Sequence, residues 1–313
     1  MASVAFEVIA ALVLVMGLGY LARRWGLVSD SGAESGARLV ADVCFPALCL
    51  EGLARTSAEA LVAAWVLPVL AFVALAVSLV VGLAVAPFVA PPAQRPTVAF
   101  CVAVGNWIFL PLPLAGALFG SQGTLTVLLH NVGAQLFLWT AGVAVLRGRG
   151  ERPLAALLRN AGLWATLGGV ALALSGVSLG NAGVAGRVGL QVLTWLGSLT
   201  VPLATLLLGA QLRRTAGGDA RPRALVGIVV TRLAVAPLVV VPLLGLAAGR
   251  LGLGESVRGT EELIALMPVS LTAAAMVQRY AGDVSLAARS IAWSTVLGGV
   301  TVPLTLAALR NGP

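Results

Sequence analysis

Ten stretches of this chain reach about 20 predominantly apolar residues, the length a helix needs to cross the hydrocarbon of a bilayer. They cover 3–22, 37–54, 61–86, 96–119, 123–146, 161–180, 188–211, 224–249, 260–281 and 285–309. The segments between them are short, so no soluble domain is expected. With 59% hydrophobic residues and a mean hydropathy of +1.00, the chain has more apolar surface than a water-soluble domain can hide. The expected fold class is all-α, a polytopic membrane protein of ten transmembrane helices. Residues 3–22 are expected to be the first span and not a signal peptide, because no basic segment precedes them and no small-residue cleavage site comes after them.

The formal net charge of +8 and pI near 11.1 would suggest nucleic acid in a soluble chain. Here all 20 basic residues are arginines, and most lie between apolar spans. That is the pattern of membrane topology, and no nucleic-acid partner is expected. The loops after spans 1, 3, 5, 7 and 9 carry fourteen arginines: Arg23, Arg24, Arg38, Arg95, Arg147, Arg149, Arg152, Arg159, Arg213, Arg214, Arg221, Arg223, Arg279 and Arg289. The opposite loops carry five, Arg55, Arg187, Arg250, Arg258 and Arg310. The richer side is expected to face the cytoplasm, which places both termini outside it. Cys44, Cys49 and Cys101 have neither metal-site nor disulfide spacing and read as small core residues.

The most basic loop, RGRGERPLAALLRN at 147–160, falls at the midpoint and divides the chain into 1–150 and 151–313, five spans each. VCFPALCLEGLAR (43–55) and LTVPLATLLLGAQLRR (199–214) stand in matching positions, as do ALFGSQG (117–123) and VQRYAGD (277–283). Five is odd, so two such halves lie upside down relative to each other, the inverted repeat of secondary transporters. Span 4 contains GNWIFLPLPL (105–114), with Pro111 and Pro113, and span 9 contains ELIALMPVSL (262–271), with Pro268. A proline removes a helical backbone donor and clashes with the preceding turn. At membrane depth the freed groups are tolerated only where they face protein or a water-filled cavity. Two matched breaks therefore point to a midplane site where half-helix N-termini meet an anion.

Together with GYLARRWGLVS (19–29), CFPALCL (44–50), LTVPLATLLLGAQL (199–212) and MPVSLTAAAMVQRYAGDVSLAARSIAWSTVLGGVTVPL (267–304), the stretch GNWIFLPLPL resembles the auxin efflux carrier family, over essentially the whole chain and in order. The long central cytoplasmic loop of plant PIN carriers is missing, and the compact form resembles bacterial members. The resemblance implies the inverted-repeat fold shared with sodium/bile-acid symporters, with helices 4 and 9 unwound and crossing at the site. It also implies a homodimer, a scaffold of helices 1, 2, 6 and 7, and a mobile transport unit of helices 3–5 and 8–10. Asn106 falls on the family's helix-4 asparagine, whose carboxamide meets the substrate carboxylate. Pro113 and Pro268 fall on its crossover prolines. Where the family commonly has glycine five residues after that asparagine, this chain has Pro111, and Trp107 is bulky.

A carboxamide donates to a carboxylate without the desolvation cost of a buried cation, which makes Asn106 the leading substrate-binding candidate. Its alternative is a helix–helix hydrogen bond. Ser270 and Thr272 offer hydroxyls just after Pro268, although such residues also pack transmembrane interfaces. His130, Asn131 and Gln135 form a polar patch in span 5, a candidate for proton coupling or gating or a satisfied near-interface cluster. Glu261 lies seven residues before Pro268, on the same helical face. Asp42 is expected to pair with Arg38 four residues earlier. Arg232, eight residues inside span 8, is expected to snorkel to the interface, with a gating role as the alternative. Trp25, Trp65, Trp164, Trp195 and Trp293 suit interfacial belts and Trp107 does not.

These residues together read as a secondary carrier of a small organic anion, and the resemblance implies elevator-type alternating access in a bacterial inner membrane. A cation site would want carboxylates beside the breaks. The alternative within transport is a sodium-coupled organic-anion symporter of the bile-acid type. A membrane-embedded enzyme is remote, since one histidine, no HExxH and no GxSxG leave no catalytic constellation. No GxxxxGK[ST] motif is present to power a nucleotide-driven pump. No metal and no cofactor are expected; the expected partners are the carboxylate, lipid and a second copy of the chain.

Overall fold

The computed structural model describes residues 2–146, 161–177, 179–212 and 222–311. The basic loop 147–160 and Arg213, Arg214 and Arg221 lie outside the described residues, and with them half of the fourteen arginines that orient the chain.

Every regular element described is helical. The first half comprises α1 (Ala2–Arg24), α2 (Asp30–Leu39), α3 (Phe45–Ala54), α4 (Ala58–Ala63), α5 (Leu67–Val89), α6 (Arg95–Ala103), α7 (Pro111–Phe137) and α8 (Val143–Leu146). The second comprises α9 (Ala161–Ser175), α10 (Gly183–Ser198), α11 (Thr200–Leu212), α12 (Pro222–Val230), α13 (Ala236–Leu251), α14 (Glu255–Ala265), α15 (Leu271–Arg279) and α16 (Val284–Asn311). Single π-helical turns, Val40–Cys44, Leu138–Gly142 and Thr231–Val235, join α2 to α3, α7 to α8 and α12 to α13. Such a turn inserts one residue and rotates the helix beyond it. No Arg38–Asp42 pair forms among the described residues, and Asp42 lies in the first of these turns.

Six helical runs among the described residues are long and apolar enough to cross a membrane: Phe6–Arg24, Ala58–Val89, Pro111–Leu146, Gly183–Gln211, Pro222–Leu251 and Val284–Leu309. The chain is a multi-pass membrane protein. Where ten sequence stretches yield six such runs, the differences are local. Stretch 96–119 stops at Ala103 and restarts at Pro111, and its second part continues through a kink into the next stretch. At that kink Gly120 adopts φ 62°, ψ −146°, a conformation essentially confined to glycine. The Ala115 carbonyl oxygen there lies 2.4 Å from where a Gly123 Cβ would be. Residues eight apart in one straight helix sit about 12 Å apart along the axis, so the chain reverses at Gly120. Stretch 260–281 is likewise cut after Ala265, and stretch 161–180 is helical only over Ala161–Ser175 before a one-turn 3₁₀ segment.

The helices pack as two groups. In the first, α1 lies along α11, and α3 along α9 and α10. The α1–α11 approach rests on reciprocal glycines: a Cβ on Gly19 would come to 1.9 Å from the Leu206 carbonyl oxygen, and one on Gly209 to 1.8 Å from that of Met16. Without a hydrophobic driving force inside the bilayer, such close backbone packing is what holds helices together. In the second group α5 packs against α6, α7 and α13, α14 against α7 and α13, and α16 against α12 and α15. Phe100, Leu114, Leu128, Phe137 and Leu263 fill its core. Trp25, Trp65, Trp164, Trp195 and Trp293 are all more than half exposed, whereas Trp107 is buried. Cys44, Cys49 and Cys101 are buried free thiols, as expected of core residues.

Candidate functional site

The two interruptions meet inside the second group. Pro268 has no N–H to donate and disfavours a helical Met267 before it, so α14 cannot run on. Its last residue is Ala265. The other break, residues 104–110, lies upstream of the prolines and not at them. Pro111 is the first residue of α7, a position whose N–H would have no intrahelical partner and which proline's fixed φ suits. Pro113 comes within the same first turn, where N–H groups are also unpaired. The expectation that Pro111 and Pro113 break the helix is thus corrected: they start its second part. The proline in the glycine's place costs no backbone bond.

The non-helical segments pair with each other. Gly105 and Val269 form an antiparallel bridge. The Asn106 N–H donates to the Pro268 carbonyl at 2.8 Å, and the Ser270 N–H to that of Val104 at 3.0 Å. The Val269 N–H donates to Ser294 Oγ on α16 at 3.1 Å. Each break thereby supplies the hydrogen bonds that the other lost, as backbone at membrane depth requires. Asn106 is 3% exposed, and its Oδ1 accepts the Phe109 N–H at 3.1 Å. Its Nδ2 has no hydrogen-bond partner among the described residues. Ser270 is buried and caps α15, accepting the Thr272 N–H at 3.2 Å. Its oxygen is therefore already engaged as an acceptor. Thr272 itself is half-buried in the first turn of α15.

Arg232 corrects the sequence reading most. It does not snorkel: in the π turn between α12 and α13 it is 4% exposed. Its guanidinium donates from Nε to the Met267 carbonyl at 2.7 Å, from Nη1 to Val102 at 3.2 Å and from Nη2 to Ala265 at 3.1 Å. Those carbonyls belong to the C-terminal ends of α6 and α14 and the break just after α14, where oxygens have no intrahelical donor. Gly105 makes room, since a Cβ there would sit 2.3 Å from Arg232 Nη2.

His130 and Glu261 come together across the second group. Nδ1 and Oε2 are 2.8 Å apart, with both side chains buried, and Glu261 Oε1 has no hydrogen-bond partner among the described residues. Glu262 turns outward to Arg258 Nε at 2.7 Å. Asn131 joins through Trp107, whose Nε1 donates to its Oδ1 at 3.1 Å, leaving Asn131 Nδ2 unpartnered among the described residues. Ser78, Gly105, Trp107, His130, Arg232 and Glu261 line a cavity of about 20 Å³, enough for one water molecule. Gln135 is not brought to this cluster; its Oε1 is buried elsewhere on α7, without a partner among the described residues.

On the other side of Pro268 a second, mainly apolar cavity of about 40 Å³ lies between the two helix groups. Met16 of α1 and Thr205 of α11 face Leu110, Pro268, Thr295 and Gly298 across it. Ser294, Thr295 and Ser78 carried no signal in the sequence, being small hydroxyl residues in apolar helices. Gly105 was visible only as a neighbour of Asn106, and Trp107 only as a bulky tryptophan that does not suit an interfacial belt.

The profile of the family described as "membrane transport protein" matches residues 4–156 and 153–306. An uncharacterized transporter of Methanothermobacter thermautotrophicus is 29% identical over 304 residues, 95% of each chain.

Proposed function

Since the chain belongs to the membrane transport protein family, the auxin efflux carriers, we propose that it is a secondary carrier of a small organic anion, a carboxylate, bound where breaks 104–110 and 266–270 cross. The observation that carries this reading is Asn106. Its backbone N–H and Oδ1 are both engaged in holding the break, and its Nδ2 donor is left over beside it. A carboxamide donor next to the starts of α7 and α15, each worth about half a positive charge, suits a carboxylate. Ser270, Thr272, Pro111, Pro113 and Pro268 shape that end of the site.

Transport then proceeds by an elevator-type movement, with the second helix group sliding past the first. The closer packing within each group than between them, with α1 touching α7 and α16 across the divide, and the apolar cavity between the groups support this. In this reading the ten apolar stretches form two inverted five-helix halves, residues 1–150 and 151–313. The first group is the scaffold of a homodimer in a bacterial inner membrane, with both termini outside the cytoplasm. The buried His130–Glu261 pair, with Asn131 and Gln135 farther along α7, carries coupling or gating.

A sodium-coupled symporter of the bile-acid type is the second reading, favoured by the unpartnered Glu261 oxygen beside the break. Currents in proteoliposomes decide between them, with aromatic and aliphatic carboxylates applied with and without sodium. The anion-carrier reading predicts a saturable current for one carboxylate in sodium-free buffer, lost in Asn106→Ala. A current that requires sodium favours the symporter, and no current with any carboxylate refutes the substrate class.

A further inference from the structure

The environment of Arg232 is that of an ion-binding site. Three backbone carbonyls, Val102, Ala265 and Met267, converge on its guanidinium from two different helix ends and the segment after one of them. Broken transmembrane helices offer carbonyls of this kind, at half-helix C-termini and unwound backbone, to inorganic cations. The two C-termini, α6 and α14, each carry about half a negative charge. Together they are matched by one guanidinium. Among the described residues no carboxylate is paired with Arg232: Glu261, which lines the same cavity, bonds to His130, and the hydrogen bonds of Arg232 go to backbone oxygens. Gly105 supplies the independent sign that the position is built for this group. The approach of Nη2 leaves no space there for a Cβ. The π turn at Thr231–Val235 carries Arg232 itself, and such turns re-aim side chains.

We infer that Arg232 is a tethered cation, filling a cation site formed by the Val102, Ala265 and Met267 carbonyls, so that the protein needs no inorganic monovalent cation at this position. The inference deepens the carrier reading by removing metal-cation coupling at the junction, but its geometry does not depend on the substrate. The junction keeps its compensating positive charge through every transport cycle. A carrier built this way moves its anion without a sodium ion at that place.

The test is thermal unfolding of the purified full-length protein in detergent, without substrate, in choline chloride and after titration with sodium, potassium or millimolar guanidinium at constant ionic strength. Wild type is expected to unfold at the same temperature in sodium and in choline. Arg232→Ala is expected to unfold several degrees lower in choline and to regain stability saturably with guanidinium or a monovalent metal cation. Arg232→Lys, which keeps a tethered charge, is expected to respond to none of them. Saturable stabilisation of the wild type by sodium would overturn the inference, and so would an Arg232→Ala protein indifferent to every cation. If Arg232→Ala is not recovered folded, recovery of Arg232→Lys but not Arg232→Met supports the inference, and any other outcome for that pair overturns it. No carboxylate enters the experiment, so its failure leaves the anion-carrier reading standing and the reverse holds too.

Discussion

Replacing Asn106 separates its two jobs. Its Oδ1 caps the Phe109 N–H at 3.1 Å, and its Nδ2 is the donor assigned to substrate. Losing a hydrogen bond to a charged acceptor costs about 1.5–3 kcal/mol. At about 1.4 kcal/mol per tenfold, that weakens carboxylate binding roughly 10- to 150-fold. Losing a capping oxygen costs about 1 kcal/mol of stability. Asn106→Ala removes both groups, so stability and binding should fall together. Asn106→Ser keeps a capping oxygen, but its short side chain, occupied by the Phe109 N–H, does not reach the ligand. Its stability should stay within about 0.5 kcal/mol of wild type, while binding falls as far as in the alanine variant. Equilibrium binding of the best carboxylate to purified protein, read beside the unfolding temperature, distinguishes the cases. An Asn106→Ser protein that binds within twofold of wild type would refute the assignment of Nδ2.

The other expectations rest on packing and buried polar groups. Gly209→Val should abolish the folded protein, because even a Cβ at 1.8 Å from the Met16 carbonyl forces α1 and α11 apart; size-exclusion chromatography reads this directly. His130→Ala leaves the buried Glu261 carboxyl without its hydrogen-bond partner, a loss of about 1–3 kcal/mol, whereas Glu261→Gln keeps a polar group facing His130 and should cost clearly less in an unfolding assay. Pro268→Ala restores an N–H and lets α14 extend toward α15, so turnover in proteoliposomes should drop more than expression does.

The parts of the site legible in the sequence are those fixed by local chemistry. Pro268 marks the break after α14, although Pro87, Pro242 and Pro303 lie inside helices that run on, and an asparagine inside GNWIFLPLPL marks the facing one. The exposed tryptophans and the buried cysteines also follow from residue type. Pro111 and Pro113 were misplaced by a few residues, because proline both ends and begins helices and the sequence does not say which. Arg232 and the His130–Glu261 pair needed tertiary information. Glu261 could be placed on the Pro268 face, but its partner lies 131 residues away in sequence. Arg232 stands out in the sequence by its depth in span 8, but only a π turn and Gly105 show that it meets three orphaned carbonyls instead of the interface. Asp42 shows the same limit in reverse, since i,i+4 spacing predicts a pair that the π turn at Val40–Cys44 does not make.

The most direct measurement of the central claim is an experimental structure of the protein with the carboxylate that drives the largest current. The account predicts its carboxyl group within hydrogen-bond distance of Asn106 Nδ2, between the starts of α7 and α15. A carboxylate bound away from the 104–110 and 266–270 junction, with Asn106 Nδ2 still unengaged, would contradict it.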